Sequence, residues 1–563
     1  MNQCDISRKG SGVVFGEFVF LMVCRHPETT PDPFAYHQTK PDTYCFRRSL
    51  ASPVAICTLG ANKKGHQPMS PRFLASQILL LGLLLIMPTT LTAADAWPEA
   101  ARPNILLIAI DDLRPALGCY GDTLVQSPNI DRLARGSRLF QRAYIQQAVC
   151  GPSRAALLTG RLPDNIRVWH NRHLFRNTLP NAVTLPQLFK NNGYHTQGLG
   201  KVFSGREREE DPPSWSVPSL VRGDGWRNYA LPENNTRSGK GVAFEAADVD
   251  DDGYPDGKLT DLAIETLTRL QGQPQPFFLA VGFFKPHLPF NAPKKYWDLY
   301  DPAVFEFPEP PARIDGAPQL AYHTHRELGG YRDIPDDERV SSEQARMLRH
   351  GYYACVSYID AQVGRLLDTL ERLGLQDNTI VVLWGDHGFA LGEEDRWCKG
   401  TNFELDTRVP LLIRVPDMAA PGVPTGSLVE TVDIYPTLAA LAGLTPPDDL
   451  DGHCLVPVLK DPAASIRDHA LSQFPRPWRR DEPDFMGYSI RTPTHRYTRW
   501  VQWPARKTVA EELYDHESPD SSLGGDLLPV ARQNVLGHPA HAKTRDRLRT
   551  KMDEVLRTRV DAK

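Results

Sequence analysis

The chain has 563 residues, of which 41% are hydrophobic and 23% charged, with a formal net charge of -4. That length leaves room for more than one domain, and the hydrophobic share is ordinary for a globular protein with a large core. The slight acidity and the lack of long Lys/Arg runs exclude a nucleic-acid binder that works through a basic surface.

Residues 1–68 are rich in Pro and Arg, hold Cys4, Cys24, Cys45 and Cys57, and show no sustained helical or strand period. Met69-Ser70-Pro71-Arg72 then gives a short basic start, residues 78–87 a continuous apolar run, and Ala94-Asp95-Ala96 a small-residue cleavage pattern. This is the layout of a secretory signal peptide, and the run is too short for a permanent membrane anchor. We therefore expect a non-native N-terminal extension at 1–68, a signal peptide at 69–96, and export to the periplasm or the extracellular space.

Residues 104–110 form a short apolar run that ends abruptly in Asp111-Asp112. A second run, 277–284, ends in Lys285-Pro286-His287, and a third, 379–384, in Gly385-Asp386-His387-Gly388. Each predicts a strand buried on both faces, as in a parallel sheet. Residues 354–373 predict an amphipathic helix with Val356, Ile359, Val363, Leu366, Leu367 and Leu370 on one face. Strands alternating with helices predict an α/β domain, here 97–465, with its ligand site beyond the carboxyl ends of the strands. The acidic stretch 248–257 has calcium-loop spacing, but Leu259 stands where a bidentate Glu is needed, so it reads as a surface loop before a helix near Thr260. After about residue 465 the pattern turns short and β-like, as in 487–501, and ends in a charged helix over 541–557. This predicts a smaller C-terminal unit, 466–563, of antiparallel sheet plus helix.

Five cysteines follow Met69: Cys119, Cys150, Cys355, Cys398 and Cys454. They are too sparse for a disulfide scaffold, and no C-x-x-C pair suggests zinc. Their odd number flags one special thiol. Cys150 opens Cys150-Gly151-Pro152-Ser153-Arg154, continuing to Leu158-Thr159-Gly160-Arg161. Pro152 suits the first turn of a helix, which puts Cys150 at a positive helix end that favours anions. Asp111, Asp112 and Asp386 are hard oxygen donors suited to Ca²⁺ or Mg²⁺, with His387 beside them. Arg167, His170, Arg172, His173 and Arg176 form a basic cluster after the cysteine helix. It suits a sugar carboxylate or further sulfates, or is simply a solvated loop.

The C-x-P-S-R and L-T-G-R signature resembles that of type I sulfatases in the alkaline phosphatase superfamily. DDLRPALGCYGD from Asp111, QQAVCGPSRAALLTGR from Gln146, GKVF from Gly200, KPHLPF from Lys285, GDHGFALGE from Gly385 and GYSIRT from Gly487 are similar to iduronate-2-sulfatase-like members. The resemblance implies a large, mostly parallel sheet flanked by helices and hydrolysis of sulfate esters on a uronic-acid-bearing or other anionic glycan. It implies that Cys150 is oxidised to formylglycine by a formylglycine-generating or maturase enzyme reading Cys150, Pro152 and Arg154. Asp111, Asp112, Cys150, Asp386 and His387 would surround Ca²⁺. Arg154 would orient the hydrated aldehyde, Lys201 and Lys399 would contact sulfate, and His287 would protonate the leaving group, with Arg172 and His173 at the sugar. One hydroxyl of the hydrate would attack sulfur, and loss of the second proton would expel sulfate.

One position departs from that pattern. Ser204 stands where the related enzymes have a histidine thought to act in sulfate release, and serine is a poor base. His195 or His173, a water molecule, or slow turnover would account for it. A phosphodiesterase or phosphonate hydrolase of the same superfamily and a non-catalytic sugar binder are the alternative readings.

Overall fold

The structure, a computed structural model, describes residues 102–204, 210–220, 227–235, 241–306, 312–323, 327–478, 480–517 and 532–561. The extension and signal peptide read at 1–68 and 69–96 lie outside the described residues. The main sheet has eight strands: β1 (Asn104–Ile110), β2 (Arg138–Tyr144), β3 (His195–Gly200), β4 (Phe277–Phe283), β5 (Thr379–Gly385), β6 (Arg408–Val409), β7 (Leu411–Arg414) and β8 (Thr425–Glu430). Across the sheet the order is β6-β2-β7-β5-β1-β4-β3, with β8 also paired to β2. Strands β5, β1, β4 and β3 run parallel, and β7 runs against β5.

The three apolar runs form β1, β4 and β5 because both faces of each are covered. In β1, Leu106, Ile108 and Ile110 enter one core and Ile105, Leu107 and Ala109 the other. Burying each large aliphatic chain contributes roughly 1.5–3 kcal/mol. The first core is closed by helices α2 (Pro255–Leu270) and α3 (Ser342–Arg372), the second partly by α1 (Cys150–Thr159). Helix α3 begins twelve positions before the start read from its apolar face. Its first turns are solvated and are held by a capping box between Ser341 and Gln344, so they carry no hydrophobic stripe.

The acidic stretch 248–257 is not simply a surface loop. It forms a 3-10 turn over Asp251–Gly253, and α2 already starts at Pro255. Asp256 is buried and accepts backbone hydrogen bonds from the segment after β4.

Beyond this, β9 (Ala470–Arg476), β10 (Phe485–Arg491), β11 (His495–Gln502) and β12 (Lys507–Asp515) form an antiparallel meander. Helix α4 (Ala542–Val555) packs Leu548, Met552 and Val555 against Leu471, Tyr488 and Ile490 of that meander. The fold is thus α/β with a mostly parallel main sheet and a separate antiparallel C-terminal sheet plus helix, as the sequence predicts. All five described cysteines are free thiols. Among the described residues no helix is long and apolar enough to cross a membrane.

The register sets the site. Ile110 is level with Phe283 and Gly385, and Gly200 with Gly282, so four strands end together at one edge of the sheet. There the chain packs without space for side chains: a Cβ on Gly282 would lie 1.9 Å from the Lys201 carbonyl oxygen. Gly282→Ala is therefore expected to displace Lys201 and to cost about 1–3 kcal/mol, read as a lower urea midpoint together with reduced turnover.

Candidate active site

Cys150 is the first residue of α1 and is 3% exposed. The segment leading to it from β2 is clamped by β9. Ser472 Oγ donates to the Ile145 carbonyl at 2.6 Å and the Gln473 N–H to the Gln146 carbonyl at 2.7 Å. Gln147 Nε2 donates to the Trp169 carbonyl at 2.6 Å. The C-terminal sheet thereby fixes where the cysteine helix begins.

The strand ends bring the acids to Cys150. The Asp111 N–H donates to the Phe283 carbonyl at 3.3 Å and the Asp386 N–H to the Ile110 carbonyl at 3.2 Å, continuing the ladders by one residue. Asp112 follows with φ 61°, a left-handed conformation that Asp tolerates better than most residues. Its N–H donates to Asp386 Oδ1 at 3.0 Å, and Tyr352 Oη donates to its carbonyl at 2.9 Å. Cys150 Sγ lies 3.2 Å from His387 Nε2. His387 Nδ1 faces the Gly388 carbonyl at 3.0 Å and must donate to it, which leaves the Nε2 lone pair facing the cluster.

Three permanent cations balance these acids. Arg154 donates from Nε to Asp386 Oδ2 at 2.8 Å and from Nη1 to the carbonyls of Lys201 and Val202. Its Nη2 makes no hydrogen bond and lies 3.6 Å from Asp111 Oδ1. Lys201 Nζ pairs with Asp111 Oδ2. Lys399 Nζ contacts both Asp112 oxygens, at 3.0 and 2.9 Å. Burial alone would raise Asp111, but Lys201, His287 and Arg154 hold it well below the usual carboxylate range. Burial and then Asp111 push the Cys150 thiol well up, so in its unmodified form it is a protonated thiol and a poor nucleophile.

The donor set fits a hard divalent cation. Ligand atoms of Asp111, Cys150, Asp386 and His387 lie within 4.8 Å of one another, and those of Asp111, Asp112 and His287 do likewise. Asp111 Oδ1 is buried and accepts no hydrogen bond, an expensive state that a cation would relieve.

His287 Nδ1 faces the Leu288 carbonyl at 2.5 Å and donates to it, so Nε2 faces the site. Two residues that carry no motif in the sequence support it. Asp256 accepts from the N–H groups of Phe284 at 2.8 Å and Lys285 at 3.1 Å, and burial pushes its carboxyl up to about 6. Glu327 bridges His287 Nε2 at 3.1 Å and Lys399 Nζ at 3.0 Å. Asp256 was concealed in an acidic run, and Glu327 in a segment with neither period nor motif.

The basic cluster does not act as one surface. Arg176 is taken up by Asp211, at 2.8 and 2.9 Å, and by two backbone carbonyls. Arg167 lies over the rings of Trp169 and Trp503, 5.5 and 5.8 Å from their centroids. Arg172 gives its N–H to His170 Nδ1 at 3.1 Å, and the Trp169 N–H donates to His173 Nδ1 at 3.2 Å. Ser204 shares a cavity with Gly151, Asn171, His173 and Phe203 beside the start of α1. His195 opens β3 while Gly200 closes it, which puts His195 about 16 Å along the strand from the catalytic edge. His173 reaches the cavity, but its Nδ1 lone pair is already engaged, so it is not a ready base.

A metal-compatible acidic cluster at the strand ends thus faces a cysteine at a helix start. The sulfatase profile matches residues 103–444, and the N-sulphoglucosamine sulphohydrolase C-terminal profile matches residues 392–558. The chain belongs to the sulfatase family and is a sulfuric ester hydrolase. It is 36% identical over 553 residues to iduronate 2-sulfatase of Homo sapiens, covering 82% of this chain and 100% of that one. Its fold is similar to phosphonate monoester hydrolase SpPMH from Silicibacter pomeroyi, with TM-score 0.65 and 25% identity over 81% of this chain and 96% of that one. It is also similar to a protein solved with D-glucosamine-2-N,6-O-disulfate, with TM-score 0.63 and 22% identity over 82% and 98% of the two chains.

Asp256→Asn would leave one of the two backbone N–H groups facing an amide N–H₂. The expected cost is about 1–3 kcal/mol, read as a lower urea midpoint, with a fall in turnover as His287 shifts.

Proposed function

We propose that the chain is an exported sulfatase that removes sulfate from a uronic-acid-bearing or other anionic glycan, using Ca²⁺ and a formylglycine formed from Cys150. The observation that carries this reading is the meeting of Cys150 with Asp111, Asp386 and His387 at the start of α1. Charge supports it. The carboxylates of Asp111, Asp112, Asp386 and Glu327 are already largely offset by Lys201, Lys399, Arg154 and the imidazolium of His287, so a divalent cation would leave the site with the positive charge a sulfate ester needs. Asp111, Asp112, Asp386, His387 and the modified position 150 would hold the cation. It would withdraw charge from the sulfate, and the hydrated aldehyde would supply the attacking oxygen.

The remaining work falls to this chain's side chains. Arg154 Nη2, with no other hydrogen-bond partner, orients the oxygen on position 150. Lys201 and Lys399 hold the sulfate oxygens as fixed point charges. With its Nδ1–H committed to the Leu288 carbonyl, His287 can act as an acid only as the imidazolium; its second proton, on Nε2 beside Glu327 at 3.1 Å, would be the one given to the departing sugar oxygen. Sulfate release has no histidine at position 204, so its proton goes to solvent and this step limits turnover.

The formylglycine reading is tested by mass spectrometry of the tryptic peptide carrying position 150, alongside sulfate release from a sulfated uronoside. The aldehyde form is expected, with activity lost on chelation by about tenfold or more and restored by Ca²⁺. An intact thiol in a fully active enzyme would refute it. The likeness to a phosphonate monoester hydrolase makes an aryl phosphonate the proper control: faster turnover of the phosphonate than of the aryl sulfate reverses the substrate assignment. Ser204→His is expected to raise kcat by about tenfold or more with little change in KM, measured by steady-state kinetics on an aryl sulfate.

A further inference from the structure

We propose that His170 and His173 form a two-pronged receptor for a carboxylate on the substrate sugar, and that Asp481 is the chain's own stand-in for that carboxylate. The proposal rests on the sulfated-uronoside reading above and adds to it the residues that recognise the uronate.

The two rings lie against each other, with centroids 3.6 Å apart and planes tilted by 35°, on a turn closed by the His173 N–H to the His170 carbonyl at 3.1 Å. Each Nδ1 accepts a backbone N–H, from Arg172 at 3.1 Å and from Trp169 at 3.2 Å. A neutral imidazole has one lone-pair nitrogen, and here both rings spend it on the backbone. The proton therefore sits on Nε2 in each ring, whatever the charge. Both Nε2–H groups point at one oxygen, Asp481 Oδ1, at 3.3 and 3.5 Å. The same tautomers argue against a metal ion among these three residues, because neither Nε2 has a lone pair to give.

Two fixed N–H donors converging on one carboxylate oxygen define the ligand chemistry. The partner they hold now is a loose one. The Asp481 side chain is 94% exposed, against 4% for His170 and 18% for His173. Ion pairs with so exposed a partner contribute little to stability, so a sugar carboxylate can replace Asp481 at small cost.

The receptor is tied to the reacting end. Asn171, between the histidines, accepts the Gly151 N–H at 2.8 Å and so fixes the turn to the start of α1. His173 and Gly151 line one cavity. Trp478, three residues before Asp481, lines a second with Val149, Lys399 and Glu327. The cavity beside Gly151 thus reaches His173, and a sugar whose sulfate group lies at position 150 would present its carboxylate there.

Two measurements on the full chain test this. In the first, an unsulfated methyl uronoside and a neutral methyl glycoside are titrated while the ring ¹⁵N resonances of His170 and His173 are followed. Both rings are expected to shift with the uronoside alone, at about threefold lower concentration in Asp481→Ala. No shift, or equal shifts with the neutral glycoside, would overturn the proposal. In the second, kcat/KM for a sulfated uronoside is divided by that for its carboxyl-reduced counterpart. The His170→Leu/His173→Leu double variant is expected to lower this ratio about tenfold, while His173→Gln, which keeps an N–H donor, retains most of it; an unchanged ratio in the double variant overturns the proposal. Each ratio is taken within one protein sample, so poor folding does not imitate the result. Failure of the sulfatase reading would show as no sulfate release from either ester, while the titration would still report on the receptor.

Discussion

A fully buried guanidinium holds the catalytic edge together. Arg154 comes from the first turns of α1, yet its partners are Asp386 after β5, the Lys201 and Val202 carbonyls after β3, and Asp111 after β1. A charge taken out of water at that depth is tolerated only when its partners are fixed around it, and removing one partner of such a set typically costs about 3–5 kcal/mol. The helix that carries Cys150 and the strands that carry the acids are thus set by one cation. Any shift of α1 along its axis would break several of these contacts together.

Outside that edge the molecule is less constrained. Ser204, the histidine pair and Glu327 all lie on connecting segments, where side chains can change without disturbing the sheet. They also differ from the inner residues in kind. On the proposed reading, the inner residues would handle the sulfate group. The histidine pair would meet the sugar, Ser204 would govern how fast the product leaves, and Glu327 would steady His287 and Lys399.

The strand order's consequence was legible in the sequence, because the runs 104–110, 277–284 and 379–384 are apolar on both faces and end in titratable residues. The alternation of elements and the cysteine motif together pointed to the α/β fold and to the edge where the site lies. What stayed hidden depended on distance in the chain or on solvation. Helix α3 carries no apolar stripe over its first turns, so its start could not be seen. Asp256 sits in an acidic run that composition alone assigns to the surface. Arg176 reads as one more rim cation until Asp211, 35 residues away, is seen to hold it. Glu327 meets His287 and Lys399 only through the tertiary fold. His195 is the reverse case: the direction of β3 already put it at the far end from Lys201.

Helix α1 has every one of its ten residues buried, Cys150, Pro152 and Arg154 among them. On the proposed reading, that burial sets an order of events in biosynthesis. An enzyme that had to reach those three side chains would find them covered in the folded protein. Oxidation would then have to come first, and folding would follow. A chain that folded too early would be sealed as an inert thiol. Its active fraction would then be decided by a race between two rates, and no amount of later exposure to the modifying enzyme would correct it short of unfolding.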